Sequence, residues 1–152
     1  MTASFVRNAW YAACWASDLG SDKPHAKTIL GEPVVLWRDK SGAPVALEDR
    51  CCHRHLPLSL GRVTGNTLQC GYHGLEFNAL GRCVSVPGQS RVPPSATIQS
   101  YPVCQRHALI WIWCGDPSQA DVNDIPDLFW LDHPDWAQTG GHLHMRADYR
   151  LL

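Results

Sequence analysis

Two short clusters in this 152-residue chain can do chemistry: Cys51-Cys52-His53 and Cys70-Gly71-Tyr72-His73. Each offers one thiol and one imidazole, as Cys-x-His and then Cys-x-x-His, with 16 residues between His53 and Cys70. Four donors divided evenly between sulfur and nitrogen suit a [2Fe–2S] cluster with two cysteines on one iron and two histidines on the other. Two thiolates balance the formal charge of the oxidised cluster core, whereas four overbalance it. A site of mixed donors therefore accepts an electron more readily, at roughly −150 to +300 mV. Ring nitrogens of His53 and His73 not bound to metal stay open to hydrogen bonding or proton loss, and these two residues are the expected exit for the electron. A structural zinc ion also accepts two Cys and two His. Its common layout puts the cysteines in one half of the motif and the histidines in the other, whereas here each half holds one of each. His55 is a competing donor, read as a loop residue because Cys51 and His53 already have the better spacing. Cys52 is read as a small packed side chain.

The elements that must position these donors are strands and turns. Thr28 to Arg38 is β-rich, Gly42 supplies a turn, and Pro44 to Leu47 starts a second strand that leads through Asp49 and Arg50 into the first cluster. Leu75 to Phe77 and Arg82 to Val86 flank Asn78-Ala79-Leu80-Gly81, which reads as a hairpin beyond the second cluster. Pro87-Gly88 and Pro93-Pro94 bracket a loop without periodicity, and Ala108 to Trp113 reads as a buried strand. Helical signals are confined to single turns near Ala16 to Leu19 and Asp127 to Leu131. Pro57, Gly61, Gly65, Gly71 and Gly74 give the donor loops tight turns whose N–H groups can point at sulfur.

Composition narrows the function. The length fits one domain with a real core. A net charge of −1 gives no basic footprint for nucleic acid and no polybasic membrane patch. The longest apolar run, Ala108 to Cys114, is far too short to span a bilayer, and Met1 to Trp15 has no secretory character. Seven cysteines is an odd number, which suits reduced thiols in a cytoplasmic protein better than a secreted disulfide scaffold. Only 18% charged residues, with seven tryptophans, point to surface hidden against a further subunit or domain.

From His142 to Leu152 the chain alternates strictly, with Leu143, Met145, Ala147, Tyr149 and Leu151 on one side and His142, His144, Arg146, Asp148 and Arg150 on the other. This is the pattern of a half-buried strand. With no partner strand after it, the expectation is that Gly140-Gly141 marks a junction. Residues 1–139 would then form one domain, and residues 140–152 would open a second.

The run from Cys51 through Pro57-Leu58-Ser59-Leu60-Gly61, then Cys70-Gly71-Tyr72-His73-Gly74-Leu75-Glu76-Phe77 and Gly81-Arg82-Cys83, closely resembles the Rieske domain of aromatic-ring oxygenases. Asn8-Ala9-Trp10-Tyr11, Pro87-Gly88-Gln89, Ser100-Tyr101-Pro102-Val103, Leu109-Ile110-Trp111-Ile112-Trp113 and Gly115-Asp116-Pro117 extend the likeness to the branch that includes vanillate and dicamba O-demethylases and phthalate dioxygenase. Cys52 departs from it, standing where that family usually has proline. The resemblance implies a mainly β, antiparallel sandwich of the Rieske iron–sulfur-protein type, with a cluster held on hairpin loops by Cys51, His53, Cys70 and His73. It also implies an oxygenase that hydroxylates or O-demethylates an aromatic compound, with a mononuclear Fe(II) in a further domain. An NAD(P)H-dependent reductase or ferredoxin would supply the electrons, and the assembly would be a homotrimer. On this reading the present segment alone is inactive in oxygen chemistry. A free-standing Rieske-type ferredoxin is the alternative.

Overall fold

The computed structural model describes residues 5–141 and 143–148. Its regular structure is antiparallel strand with a few single 3₁₀ turns, in three sheets. The middle sheet explains the most apolar stretch of the sequence. Thr28 to Arg38 is not one strand but parts of two, β2 (His25–Ile29) and β3 (Glu32–Arg38), joined by a tight turn at Leu30 and Gly31. Both turn residues have positive φ, 52° and 81°, as a two-residue hairpin of this hand requires. Leucine is a poor signal for that conformation, so the turn is hard to see in the sequence. Next come β4 (Pro44–Glu48) and β9 (Ser100–Tyr101), giving the order β2-β3-β4-β9.

Strand β3 is buried on both faces because another sheet packs on each side. Val34 and Leu36 turn one way, with Ala46 of β4, into a core shared with β1 (Ala9–Trp15) and β11 (Leu109–Cys114). Val35 and Trp37 turn the other way, with Val45 and Leu47, into a second core. That second core is closed by β5 (Arg62–Thr64), β6 (Thr67–Gln69), β7 (Glu76–Phe77) and β8 (Cys83–Ser85), chiefly through Leu68 and Phe77. The period-2 alternation of a strand thus fills two cores from one run of apolar residues. Each large side chain fully buried here contributes about 1.5–3 kcal/mol. The antiparallel sandwich expected from the sequence is present, with the small β5-β6-β7-β8 sheet as an added layer that carries both donor loops.

The outer sheet has the order β1-β11-β10, with β10 at Val103–Arg106. Trp111 and Trp113 are buried in β11, and their indole N–H groups donate to the carbonyls of Arg106 and Asp116. They are core mass with satisfied polar edges, as expected. The strand anticipated over 142–152 is not formed between Leu143 and Asp148, which run irregularly with Leu143 83% exposed. Among the described residues nothing pairs with that segment, and a strand without a ladder has no hydrogen bonds to hold it. His142 and residues 149–152 lie outside the described residues.

Candidate metal centre

The two donor loops are built alike. In the first, the Cys51 N–H donates to the Leu56 carbonyl and the His55 N–H donates back to the Cys51 carbonyl, both at 2.9 Å. In the second, the Cys70 N–H donates to Leu75 at 2.8 Å and the Gly74 N–H to Cys70 at 3.1 Å. The same ring is closed at the same offsets from each cysteine. The fifth position of each loop has positive φ, 58° at His55 and 75° at Gly74. The twin loops differ in where the histidine falls, third in one and fourth in the other.

This correspondence assigns His55 a conformational role that the sequence did not reveal. It sits where its counterpart is glycine, at a cost of roughly 1–2 kcal/mol for a residue with a Cβ. His55→Gly is therefore expected to raise stability by roughly 0.5–1 kcal/mol, once the extra freedom of glycine in the unfolded chain is discounted. Chemical denaturation measures it, and iron content should be unchanged. A loss of iron in that variant would instead mark His55 as a donor.

The loops are pressed together backbone to backbone. A Cβ on Gly61 would run into the Gln69 carbonyl, and one on Gly71 would come within 2.9 Å of the Leu60 carbonyl. Only glycine allows that approach. Asp49, buried at the end of β4, ties the first loop down by accepting from the Ser59 N–H at 2.7 Å and the Ser59 hydroxyl at 2.6 Å. The sequence offered no signal for this clamp.

The four predicted donors are brought to one end of the small sheet, sorted by kind and by depth. Cys51 and Cys70 are 2% and 3% exposed and belong to the hydrophobic core beneath the loops. Burial pushes the Cys51 thiol up to about 11; the His53 backbone N–H, bonded to its sulfur, opposes this, and the adjoining Cys70 thiol reinforces it. His53 and His73 are exposed at the surface, edge to face, with ring centroids 4.5 Å apart. Tyr72 lies over the His73 ring at 3.8 Å. Among the described residues, no three His, Cys, Asp or Glu side chains converge as a single ion would need. A thiol pair below an imidazole pair instead suits a two-metal group that takes one pair at each metal. Cys52 packs half-buried against the same core, with its thiol pushed up by burial, consistent with a small packed side chain.

The comparisons agree with this geometry. The family described as Rieske [2Fe-2S] domain matches residues 9–102. The chain is 49% identical over 148 residues to the toluene-4-sulfonate monooxygenase system iron–sulfur subunit of Comamonas testosteroni, covering 97% of this chain and 43% of that protein. It is 47% identical over 150 residues to the oxygenase component of dicamba O-demethylase of Stenotrophomonas maltophilia, covering 98% of this chain and 44% of that one. A crystal structure of apo dicamba monooxygenase superposes with a TM-score of 0.92 at 45% identity, over 98% of this chain and 45% of its own. The chain thus spans less than half the length of the relatives it matches.

Proposed function

The chain belongs to the Rieske [2Fe–2S] domain family, and from that premise we propose that Cys51, His53, Cys70 and His73 hold the cluster and that the domain relays single electrons within an aromatic-compound oxygenase. The sorting of the donors, thiols on the core and imidazoles at the surface, carries the reading. When bound, the cluster supplies a one-electron couple at roughly −150 to +300 mV. Both thiols give up their protons on binding, because an adjacent cation offsets the burial that otherwise keeps them protonated. The His53 backbone N–H is already placed at the Cys51 sulfur and stabilises the thiolate form. Leu68, Leu75 and Phe77 exclude water from the sulfur side. His53 and His73 present their rings outward, where a redox partner can approach them.

The relatives are oxygenase components over nearly the whole of this chain, which favours that setting over a free-standing carrier. In it, a reductase or ferredoxin supplies electrons and a mononuclear Fe(II) outside these residues consumes them. The substrate is an aromatic compound that is hydroxylated or demethylated. The assembly is a cytoplasmic homotrimer. Residues 1–139 form the electron-transfer domain, and residues 140–152 begin the next. By itself this segment would be reduced and reoxidised without turning over substrate. No helix among the described residues is long and apolar enough to cross a membrane.

Metal and sulfide analysis of purified protein tests the cluster. About two irons and two sulfides per chain are expected, with red-brown colour and a paramagnetic signal on reduction. A colourless protein with one zinc per chain would overturn the assignment.

A further inference from the structure

The net charge of −1 conceals a sharp partition. Residues 50–115 carry six arginines and a single acid, Glu76, whereas residues 116–135 carry six aspartates and no Lys or Arg. The fold keeps the two regions apart. The acidic segment lies against the outer sheet, where Trp10 Nε1 and Arg106 donate to the Asp121 and Val122 carbonyls and His107 lies 3.3 and 3.4 Å from Asp127 and Asp132. The donor loops lie on the far side of the middle sheet.

Four of the arginines gather at the donor end. Arg50 precedes Cys51 and Arg54 follows His53. Arg62 pairs with Gln69, the residue before Cys70. Arg91 lies in the loop whose Gln89 and Pro93 line a cavity with His53. All four are exposed, and among the described residues none forms an ion pair with a carboxylate. The nearby acids are turned to other uses: Asp49 holds Ser59, and Glu76 accepts from Thr67 and Gln69. Glu48, half-buried, lines the hollow beside Arg50.

The centre of this face is apolar. The cavity beside His53 measures about 320 Å³ and is walled mainly by Leu75, Val86, Pro93 and Ala96. Leu60 and Tyr72, 68% and 62% exposed, stand at the same end. An apolar centre within a charged rim is the anatomy of a protein-docking surface. Resting on the electron-transfer reading above, we propose that this face receives an acidic electron-donor protein, steered by Arg50, Arg54, Arg62 and Arg91 and anchored by an apolar side chain in the cavity beside His53. Steering of this kind raises association rates by about 10–10³ and disappears as salt screens it. A donor arriving here meets the exposed imidazoles.

The test is stopped-flow reduction of the full-length, cluster-loaded protein by an acidic plant-type ferredoxin, whose potential near −400 mV makes the transfer downhill. Raising salt from about 0.01 M to about 1 M shrinks the screening length from about 30 Å to about 3 Å and should slow the second-order rate at least tenfold. Arg54→Glu with Arg62→Glu should bring the low-salt rate down to the high-salt rate, and Arg54→Gln with Arg62→Gln part of the way. Lys23→Glu, a like reversal at the opposite end, should have little effect. Reduction by a neutral small reductant should be the same in all. A loaded cluster reduced at a salt-independent rate, or Lys23→Glu slowing as much as the arginine variants, overturns the docking site alone. So does dissociation of an oligomer by the arginine variants, which would give the basic face to a second copy of the chain. Absence of cluster absorption overturns the underlying reading as well.

Discussion

Cys51→Ala is expected to give a folded, colourless protein whose iron content has fallen tenfold or more. The structure places this thiol where nothing else can replace it. It is 2% exposed on the core, bonded to the Cys70 thiol and met by the His53 backbone N–H. Alanine keeps the backbone ring between Cys51, His55 and Leu56 and removes one small sulfur, a core change worth about 1 kcal/mol. The fold should therefore survive while one metal loses half of its thiolate pair. Losses at supporting groups already reach about 10–100-fold in affinity, so the loss of a direct donor should equal or exceed that. Cys70→Ala should behave alike. Cys14→Ala and Cys104→Ala, on the outer sheet, should keep full iron despite removing the same group. Iron and sulfide analysis, visible absorption and far-ultraviolet circular dichroism separate these outcomes. Wild-type iron in Cys51→Ala would take it out of the donor set.

The contrast between Cys51 and Cys14 shows how far the sequence could be read. The donor set was legible because its chemistry is local: a thiol and an imidazole within four residues, twice, each among turn-forming residues. The hairpin at Asn78 to Gly81 was legible for the same reason, and β7 and β8 fall close to their expected positions. What escaped depends on contacts distant in the chain. Strand β1 pairs with β11 about a hundred residues away, so nothing near Ala9–Trp15 announces the partner. Asp49 looks like a linker residue until Ser59 is folded back on it. The turn at Leu30 and Gly31 was hidden because tertiary pairing of β2 with β3 overrides the reluctance of leucine to take positive φ. The alternation after Gly141 was a sound reading of pattern, but a pattern becomes a strand only when a partner supplies hydrogen bonds. His55 shows the opposite relation. The sequence suggested a rival donor, and the twin-loop geometry supplies a backbone reason for its position.

Exchanging both surface imidazoles for thiols, His53→Cys with His73→Cys, is expected to keep the protein coloured and lower its potential by about 300 mV or more. The sign follows from charge. Two more thiolates make the site more negative, so an added electron is repelled, and all-cysteine clusters of the plant type lie near −400 mV against roughly −150 to +300 mV for the mixed set. At 59 mV per tenfold for one electron, a 300 mV drop is about five decades in the equilibrium constant. The structure makes the exchange feasible. His53, Tyr72 and His73 stand at the exposed rim rather than in the core, so the loops can shift to bring a shorter side chain within reach. The core-facing pair, Cys51 and Cys70, is left untouched. His73→Cys alone should lie between the two extremes. Redox titration followed by visible absorption measures all three proteins. If the double variant held full iron at an unchanged potential, the imidazoles would not be bound to metal. The 4.5 Å contact between the rings of His53 and His73 would then be only a surface stacking contact.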